Sequence, residues 1–229
     1  MRTDRLTTES APSCDAIDAP GQVIVRALGC TDYEPTWRAM QAFTAARTAA
    51  TPDEIWLTEH APVYTLGLAG RVAHLLRNPG VPVIKVDRGG QITYHGPGQL
   101  IVYLMLDLRR GGLGVRALVR KLEGAVIEWL DSVGVPAYGK EAAPGVYVRR
   151  SSGEAKIAAL GLRVRNGCTY HGLSINIAMD LRPFDDIDPC GYPGLALTQL
   201  AEFVAGPTVA GAGRALAPII LRRLTEEAT

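Results

Sequence analysis

One cysteine of the chain stands in a loop made of residues that favour turns. Cys190 lies in the stretch DIDPCGYPG, between a proline and a glycine. Structural cysteines are usually buried on apolar strands or helices, whereas a rigid Pro/Gly loop leaves a thiol within reach of a substrate. Cys14 and Cys30 have no chemical neighbourhood, and Cys168 opens an apolar strand. Cys190 is therefore the candidate nucleophile.

A nucleophilic thiol reacts as its thiolate, and a nearby cation favours that form. The sequence offers His95, His171 and Lys156 for this role. Lys156 is notable because it stands at the mouth of an apolar strand, AKIAALGLRV. A lysine in such a place is also commonly an edge residue whose stem snorkels to water, and the sequence alone leaves both interpretations open.

A second unusual stretch is RGGQITYHGPGQL, residues Arg88 to Leu100, which could cradle a phosphate or form the wall of a pocket. A P-loop needs a lysine after its glycines and a helix behind them, and a dinucleotide-binding turn also needs the helix. Here the lysine is missing and a strand follows. The glycines therefore favour close approach of a ligand to bare backbone N–H groups, with an ordinary hairpin turn as the alternative.

Metal binding is a further possibility that the spacing tests. Cys168 and His171 form a C-x-x-H pair that His95 or Cys190 could complete as a zinc site. Two strand residues that are three apart point to opposite faces of the sheet. We therefore predict neither a metal nor another cofactor.

The hydrophobic pattern predicts the elements that must position these groups. Strands are expected at 22–28, 54–60, 81–87, 100–108, 145–149, 156–164 and 168–181, with a short extension after 62 and a turn at 166–167. Helices are expected at 34–50, 115–133, 197–204 and 212–227. Because most of these strands follow one another as hairpins, we predict an α+β fold with a mixed, mostly antiparallel sheet and packed helices.

Composition limits the class of protein. The chain has 229 residues, 47% of them hydrophobic and 21% charged, with a net charge of +1. This suits one main domain at 21–229 behind a polar, flexible tail at 1–20 and disfavours nucleic acid or membrane as partners. Four irregularly spaced cysteines indicate reduced thiols, and the tail is not a secretory signal, so a cytoplasmic location is expected.

Four motifs in order give the chain a family resemblance. RGGQITYHGPGQL, AKIAALGLRV, CTYHGLSINI and DPCGYPG, together with TEHAPVYTLG, resemble the lipoyl(octanoyl) transferases from about Val23 to the last helix. Ala61, where the family often has proline, is a departure outside the pocket motifs. The resemblance implies the fold of the catalytic domains of biotin protein ligases and lipoate-protein ligases.

The resemblance also implies the site. It places a catalytic Cys–Lys pair on Cys190 and Lys156, with His171 and Asn176 as possible support. His95 and His171 either position the acyl head or a water, or are hydrogen-bonded wall residues. Leu160, Leu173 and Tyr94 are suited to the apolar tail. The implied acyl pocket consists of Arg88, Gly89, Gly90, Gln91, Ile92, Thr93, Tyr94, His95, Ala159, Leu160, Gly161, Gly172, Leu173 and Ser174.

The implied reaction moves an octanoyl group from octanoyl-acyl carrier protein to a lysine of lipoyl domains, those of 2-oxoacid dehydrogenase complexes and the glycine cleavage H protein. A thiolate is the natural exchange partner of a thioester, so a cysteine acyl-enzyme without ATP fits this chemistry. Two alternatives stay open at this point. One is an ATP-dependent lipoate-protein ligase on the same fold, and the other is a non-catalytic module that binds acyl groups.

Overall fold

The computed structural model describes residues 23–192 and 194–226, so the predicted tail at 1–20 lies outside the described residues. Ten strands and three helices are found in this part of the chain. The helices are α1 (Tyr33–Ala46), α2 (Val115–Ser132) and α3 (Val209–Thr225). The strands are β1 (Ile24–Thr31), β2 (Glu54–His60), β3 (Val63–Leu66), β4 (Val83–Lys85), β5 (Ile92–His95), β6 (Gln99–Met105), β7 (Ala137–Gly139), β8 (Val146–Arg150), β9 (Gly153–Arg165) and β10 (Cys168–Asn176).

Seven strands form the main sheet in the order β1-β2-β6-β10-β9-β8-β7, and three form a small sheet in the order β4-β3-β5. In the main sheet only β1 and β2 pair in parallel. The predicted α+β class with a mostly antiparallel sheet is confirmed. The expected turn at Asn166–Gly167 joins β9 to β10, and both residues have positive φ, 51° and 78°.

Strand β6 explains why its sequence is apolar throughout. Ile101, Tyr103 and Met105 pack on the α1 side with Met40. Leu100, Val102 and Leu104 face the opposite way, toward buried residues of α2 and α3. A strand covered on both faces loses the usual alternation of polar and apolar residues. This two-sided core holds β10, which pairs with β6, in a fixed position, and β9 pairs with β10 on its other side.

Several predicted bounds are wrong for physical reasons. Helix α1 ends at Ala46 because Arg47 leaves the helix, donates to the Met105 carbonyl at 2.8 Å and pairs with Asp53. The expected helix at 197–204 is only a 3-10 turn at Leu200–Glu202. Helix α3 begins earlier than expected, at Val209, where the Thr208 side chain caps it. No helix of the described residues is long and apolar enough to cross a membrane.

Candidate active site

A cavity of about 370 Å³ opens between the two sheets. That volume falls in the range of about 300–1,000 Å³ usual for small-molecule sites. The residues predicted for the site that do line it are Arg88, Gly89, Gly90, Gln91, Ile92, Thr93, His95, Lys156, Ala159, Leu160, Gly161, His171, Gly172, Leu173 and Ser174. The structure therefore brings together motifs that are up to 86 residues apart in the sequence (Arg88 to Ser174).

The floor of the cavity is the β9–β10 pair, in which Gly161 lies opposite Gly172 and Leu160 opposite Leu173. Glycine is needed at Gly172, and a side chain at Gly161 would be tightly packed. A Cβ at Gly172 would stand 1.9 Å from the Val102 carbonyl oxygen, and one at Gly161 would stand 3.1 Å from the Gly89 carbonyl oxygen. The missing side chains let the neighbouring strand and the glycine stretch approach closely.

The glycine stretch forms the opposite wall and is held by a buried arginine. Arg88 Nη2 donates to the Thr65 carbonyl at 2.6 Å and to Thr65 Oγ1 at 2.8 Å, and Arg88 Nη1 donates to the Gly89 carbonyl at 3.0 Å. The Gly89 N–H donates to the Leu162 carbonyl at 3.0 Å. The idea that the backbone N–H groups here hold a substrate carbonyl therefore fails for Gly89, whose N–H ties the wall to β9.

Tyr94 was expected in the pocket but does not line the cavity within the described chain. Side chains on a strand alternate between its faces, so Thr93 and His95 face the cavity while Tyr94 faces away. Tyr94 packs in a separate cluster, with its ring centroid 5.5 Å from those of Tyr64 and Phe184. Tyr94 therefore supports the wall from behind and is not available to an acyl tail.

Lys156 is buried with 3% exposure on β9, between two other strands, so the edge-residue interpretation is wrong. Its Nζ donates to the Pro144 carbonyl at 3.1 Å and lies 5.1 Å from the Tyr147 ring centroid. The ammonium also lines the cavity. A buried ammonium is costly unless it is hydrogen-bonded, and both contacts reduce that cost.

The backbone of Cys190 forms a 3-10 turn, Pro189–Gly191, which packs against β5. Two contacts fix the chain just before this turn. Asp188 N donates to the His74 carbonyl at 2.8 Å, and His74 Nδ1 lies 3.1 Å from Asp188 Oδ2. Gly191 has φ 74°, and a Cβ there would stand 3.1 Å from Gln91 Cγ. The turn is therefore seated against the glycine stretch.

Six residues after Cys190 the chain is fixed again, this time on Lys156 itself. Lys156 N donates to the Ala196 carbonyl at 2.9 Å, and Thr198 N donates to the Lys156 carbonyl at 3.1 Å. The loop with the candidate nucleophile thus ends on the residue predicted to be its partner. Tyr192, which is 54% exposed and lines the cavity, marks the mouth beside this loop.

His95 is a buried link in a polar chain beneath the cavity. Its Nδ1 donates to Gln99 Oε1 at 2.7 Å, Gln99 Nε2 donates to Asn176 Oδ1 at 2.9 Å, and Asn176 Nδ2 donates to the Thr198 carbonyl at 2.9 Å. Burial, more than the nearby His60, lowers the pKa of His95 to about 3. A neutral His95 is not a cation for the thiolate, and Asn176 supports the Thr198 segment without lining the cavity.

His171 is held by a carboxylate that the sequence analysis missed. His171 Nε2 donates to Asp87 Oδ1 at 3.0 Å, and Tyr170 and Trp37 also donate to Asp87. Burial would raise the pKa of Asp87, but these hydrogen bonds outweigh it and hold the pKa well below its usual range. Burial lowers the pKa of His171, so this histidine is also neutral. The signal that could have revealed Asp87 is its place directly before the glycine stretch.

His171 and Lys156 occupy different ends of the cavity. In the β9–β10 register His171 lies opposite Leu162, six residues along β9 from Lys156. At about 3.3 Å per residue this separates the two backbone positions by roughly 20 Å. Tyr33 and Tyr103, also missed from the sequence, line the cavity together with His171. Lys156 is therefore the cation beside the cysteine loop, and His171 belongs to the distal end.

The buried histidines predict a loss of stability in mild acid. Burial lowers the pKa of His60, His95 and His171 in the folded chain. Near pH 6.5 these histidines therefore bind protons in the unfolded chain but stay neutral in the folded chain. Stability is then complete above about pH 6.5 and falls as the pH drops below it, by up to about 1.4 kcal/mol per pH unit for each histidine. Urea unfolding between pH 7.5 and 5 measures this.

The variant His95→Gln is the matched comparison for that titration. The unfolded chain of this variant binds two protons at the buried histidine positions and not three. The slope of unfolding free energy against pH should therefore become shallower by about one third. Carboxylate protonation enters mainly below pH 5 and so lies outside this window. An unfolding free energy that stays constant from pH 7 to pH 5 would contradict the neutral, buried state of these side chains.

The structure describes the surroundings of Cys168 and His171, the C-x-x-H pair considered in the sequence. No three His, Cys, Asp or Glu side chains of the described residues form a group that could hold a metal ion. Cys168 is buried at the start of β10 beside the turn, and His171 donates to Asp87. The regular alternation on which the expected separation of the C-x-x-H pair rested does not hold here, because His171 has a φ of 60° and the adjacent residues Tyr170 and His171 both donate to Asp87.

Comparison with known proteins identifies the class first. The fold is similar to a bipartite lipoate protein ligase from Thermoplasma acidophilum, described together with its E2 lipoyl domain as an archaeal lipoylation system, with a TM-score of 0.70 and 15% identity over 90% of this chain and 84% of that one. It is also similar to biotin protein ligase from Aquifex aeolicus, with a TM-score of 0.51 and 12% identity over 89% of this chain and 69% of that one. The fold expected from the sequence motifs is thus confirmed.

Sequence relatives narrow the class. The octanoyltransferase of Aromatoleum aromaticum is 58% identical over 202 residues, 88% of this chain and 86% of that protein. The octanoyltransferase of Dechloromonas aromatica is 55% identical over 204 residues, 89% and 98%. A model of the lipoyl protein ligase A/B catalytic domain matches residues 32–218. The chain belongs to this lipoyl protein ligase A/B family and is an acyltransferase, so the interpretation as a non-catalytic module is wrong.

Proposed function

We propose that the protein transfers an octanoyl group from octanoyl-acyl carrier protein to a lysine of lipoyl domains, through a thioester on Cys190 and without ATP. The observation that carries the proposal is the path of the cysteine loop. Its backbone rests on the glycine stretch and ends on Lys156, whose ammonium lines an acyl-sized cavity. The acyl group is proposed to be octanoyl because these sequence relatives are named octanoyltransferases.

In the first half-reaction the Cys190 thiolate attacks the carbonyl of the octanoyl thioester. A new S–C bond forms, the donor's S–C bond breaks, and the carrier's sulfur leaves with the electron pair and takes a proton from the Lys156 ammonium, which becomes a neutral amine. One thioester replaces another, so the step is close to neutral in energy and needs no activating nucleotide. The Lys156 ammonium stabilises the negative charge on the attacking Cys190 sulfur and on the departing carrier sulfur.

In the second half-reaction the neutral amine of the acceptor lysine attacks the Cys190 thioester. The amide bond forms, the attacking nitrogen loses a proton, and Cys190 leaves as the thiolate. The neutral Lys156 amine left by the first half-reaction accepts this proton, which restores the ammonium held by the Pro144 carbonyl. No other lysine lines the cavity within the described chain.

The acyl chain is proposed to lie along the β9–β10 floor, where Leu160 and Leu173 line the cavity. Each buried CH2 contributes about 0.8 kcal/mol, so binding favours a chain that fills the cavity. The acceptor is proposed to be a lipoyl domain because the archaeal ligase of the same fold is described with its E2 lipoyl domain as one lipoylation system. Both protein substrates place the reaction in the cytoplasm.

The remaining rival is an ATP-dependent ligase that adenylates a free acid. The stretch from Arg88 to Leu100 lacks the lysine of a P-loop and leads into β6, a strand. Supplying the protein with octanoyl-acyl carrier protein and a lipoyl domain, with ATP removed by apyrase, should give full transfer. Octanoate with ATP should give none. Transfer only in the second mixture would establish the ligase instead.

A further inference from the structure

The carbonyl that holds Lys156 belongs to a turn that is itself clamped at both ends. This turn, residues 143–145, lies just before β8, and Ala143 and Pro144 line the cavity. At one end the Tyr147 hydroxyl donates to the Ala143 carbonyl at 3.0 Å. At the other end Gly145 N donates to Glu123 Oε1 at 2.7 Å. The direction of the Pro144 carbonyl between them is therefore fixed from outside the turn.

Glu123 reaches this turn from α2, an element that carries none of the proposed catalytic groups. Helix α2 packs on β7 and β8, and a Cβ at Gly139 of β7 would stand 3.6 Å from Glu123 Oε2. A hydrogen bond from a backbone N–H to a carboxylate is stronger and shorter than one between neutral groups. One carboxyl oxygen thus rests on β7 while the other anchors the turn.

Gly145 makes room for the lysine at the same point. Its φ is 139°, a region in which other residues are strained, and a Cβ there would stand 2.9 Å from Lys156 Cε and 3.1 Å from Lys156 Nζ. The end of the lysine side chain therefore packs directly on the backbone unit whose N–H Glu123 holds. A displacement of Gly145 would move both the ammonium's acceptor and the surface on which it rests.

We propose that Glu123 is a positioning residue for the reaction: by holding Gly145 N–H it fixes the turn at 143–145, which in turn fixes the Lys156 ammonium beside the Cys190 loop. This inference rests on the Cys190–Lys156 pair of the proposed function. Glu123 does not line the cavity and acts only through the turn. Loss of its bond lets the turn and the ammonium move away from the sulfur.

The test is the pH dependence of Cys190 alkylation by iodoacetamide, followed by peptide mass spectrometry, which separates Cys190 from the other cysteines. The variants are Glu123→Ala, Glu123→Asp, Glu123→Gln and Lys156→Met, with Asp131→Ala, an exposed acid on the same helix, as the matched control. Glu123→Asp keeps the charge but is one methylene too short, and Glu123→Gln keeps an oxygen acceptor of the same length. Melting temperatures identify variants that are folded.

Lys156→Met should raise the apparent pKa of Cys190 alkylation by about one pH unit, the loss of a neighbouring cation. Glu123→Ala and Glu123→Asp should each raise it by roughly half a unit or more, whereas Glu123→Gln and Asp131→Ala should not raise it. For Glu123→Ala the sign of the pKa shift distinguishes a displaced ammonium from the simple loss of a charge. Removing a negative charge would by itself lower the pKa of a nearby thiol, so an upward shift reports a displaced ammonium.

The outcomes separate this inference from the proposed function. If Lys156→Met leaves the alkylation profile unchanged, the Cys–Lys pair fails and the positioning role fails with it. If Lys156→Met raises the pKa but Glu123→Ala and Glu123→Asp do not, only the role of Glu123 is overturned. A further upward shift from Glu123→Ala in the Lys156→Met background would show that Glu123 acts on the loop by another route, which also overturns it.

Discussion

Cys190→Ser is expected to lower kcat for octanoyl transfer by at least about 1,000-fold, with the melting temperature within a few degrees of the unchanged protein. A serine hydroxyl is scarcely ionised near neutral pH and is a poor leaving group in the second half-reaction. Replacing this one sulfur atom by oxygen therefore slows both half-reactions. The assay is the appearance of octanoylated lipoyl domain with octanoyl-acyl carrier protein as donor.

Cys30→Ser is the matched control, because Cys30 is an exposed free cysteine far along the chain from the site motifs. It should change kcat by less than about twofold, as expected of a surface substitution. Retention of most activity by Cys190→Ser would mean that the acceptor lysine attacks the donor thioester directly. The proposed acyl-enzyme would then be wrong even though the fold and the family remain.

Lys156→Met is expected to lower kcat by about 100- to 1,000-fold with little change in KM for either protein substrate, the usual scale for removing an acid–base group. Methionine fills a similar volume but carries no charge and no proton. The first half-reaction loses the cation beside the sulfur, and the second loses the group that accepts the amine's proton. Single-turnover measurement of each half separates these effects.

Lys156→Arg refines the same experiment. An arginine keeps the positive charge but remains protonated at all accessible pH values, so it should restore part of the first half-reaction and little of the second. Lys85→Met, at an exposed position on β4, is the control and should leave both halves unchanged. Equal rates for Lys156→Met and the unchanged protein would remove Lys156 from the mechanism.

The sequence predicted most elements of this fold because their signals are local. The alternation in 145–149 and 156–164 and the Asn-Gly pair at 166–167 indicated β8, β9 and β10, which the structure confirms. The expected helix at 197–204 failed because tertiary contacts override propensity there. The main chain at Ala196 and Thr198 is instead bonded to Lys156 in a strand-like bridge.

The residues of the site likewise divide into those with a local sequence signal and those placed only by tertiary contacts. Residues in compact motifs, such as Arg88 and Gly161, could be predicted to line a pocket because the family resemblance carried them. Tyr33 and Glu123 could not, since each contacts a partner at least 20 residues away in sequence, His60 and Gly145 respectively. Only the packed structure shows that Glu123 supports the turn beside Lys156, or that Tyr94 faces away from the cavity.

The intact mass of the protein tests the central claim most directly. The protein is incubated with octanoyl-acyl carrier protein in the absence of ATP and of any acceptor, and peptides are then mapped. We predict a gain of one octanoyl group, located on Cys190, that is lost when a lipoyl domain is added and appears on the domain's lysine. Octanoylated lipoyl domain formed at the same rate with no octanoyl ever found on Cys190 would contradict the account.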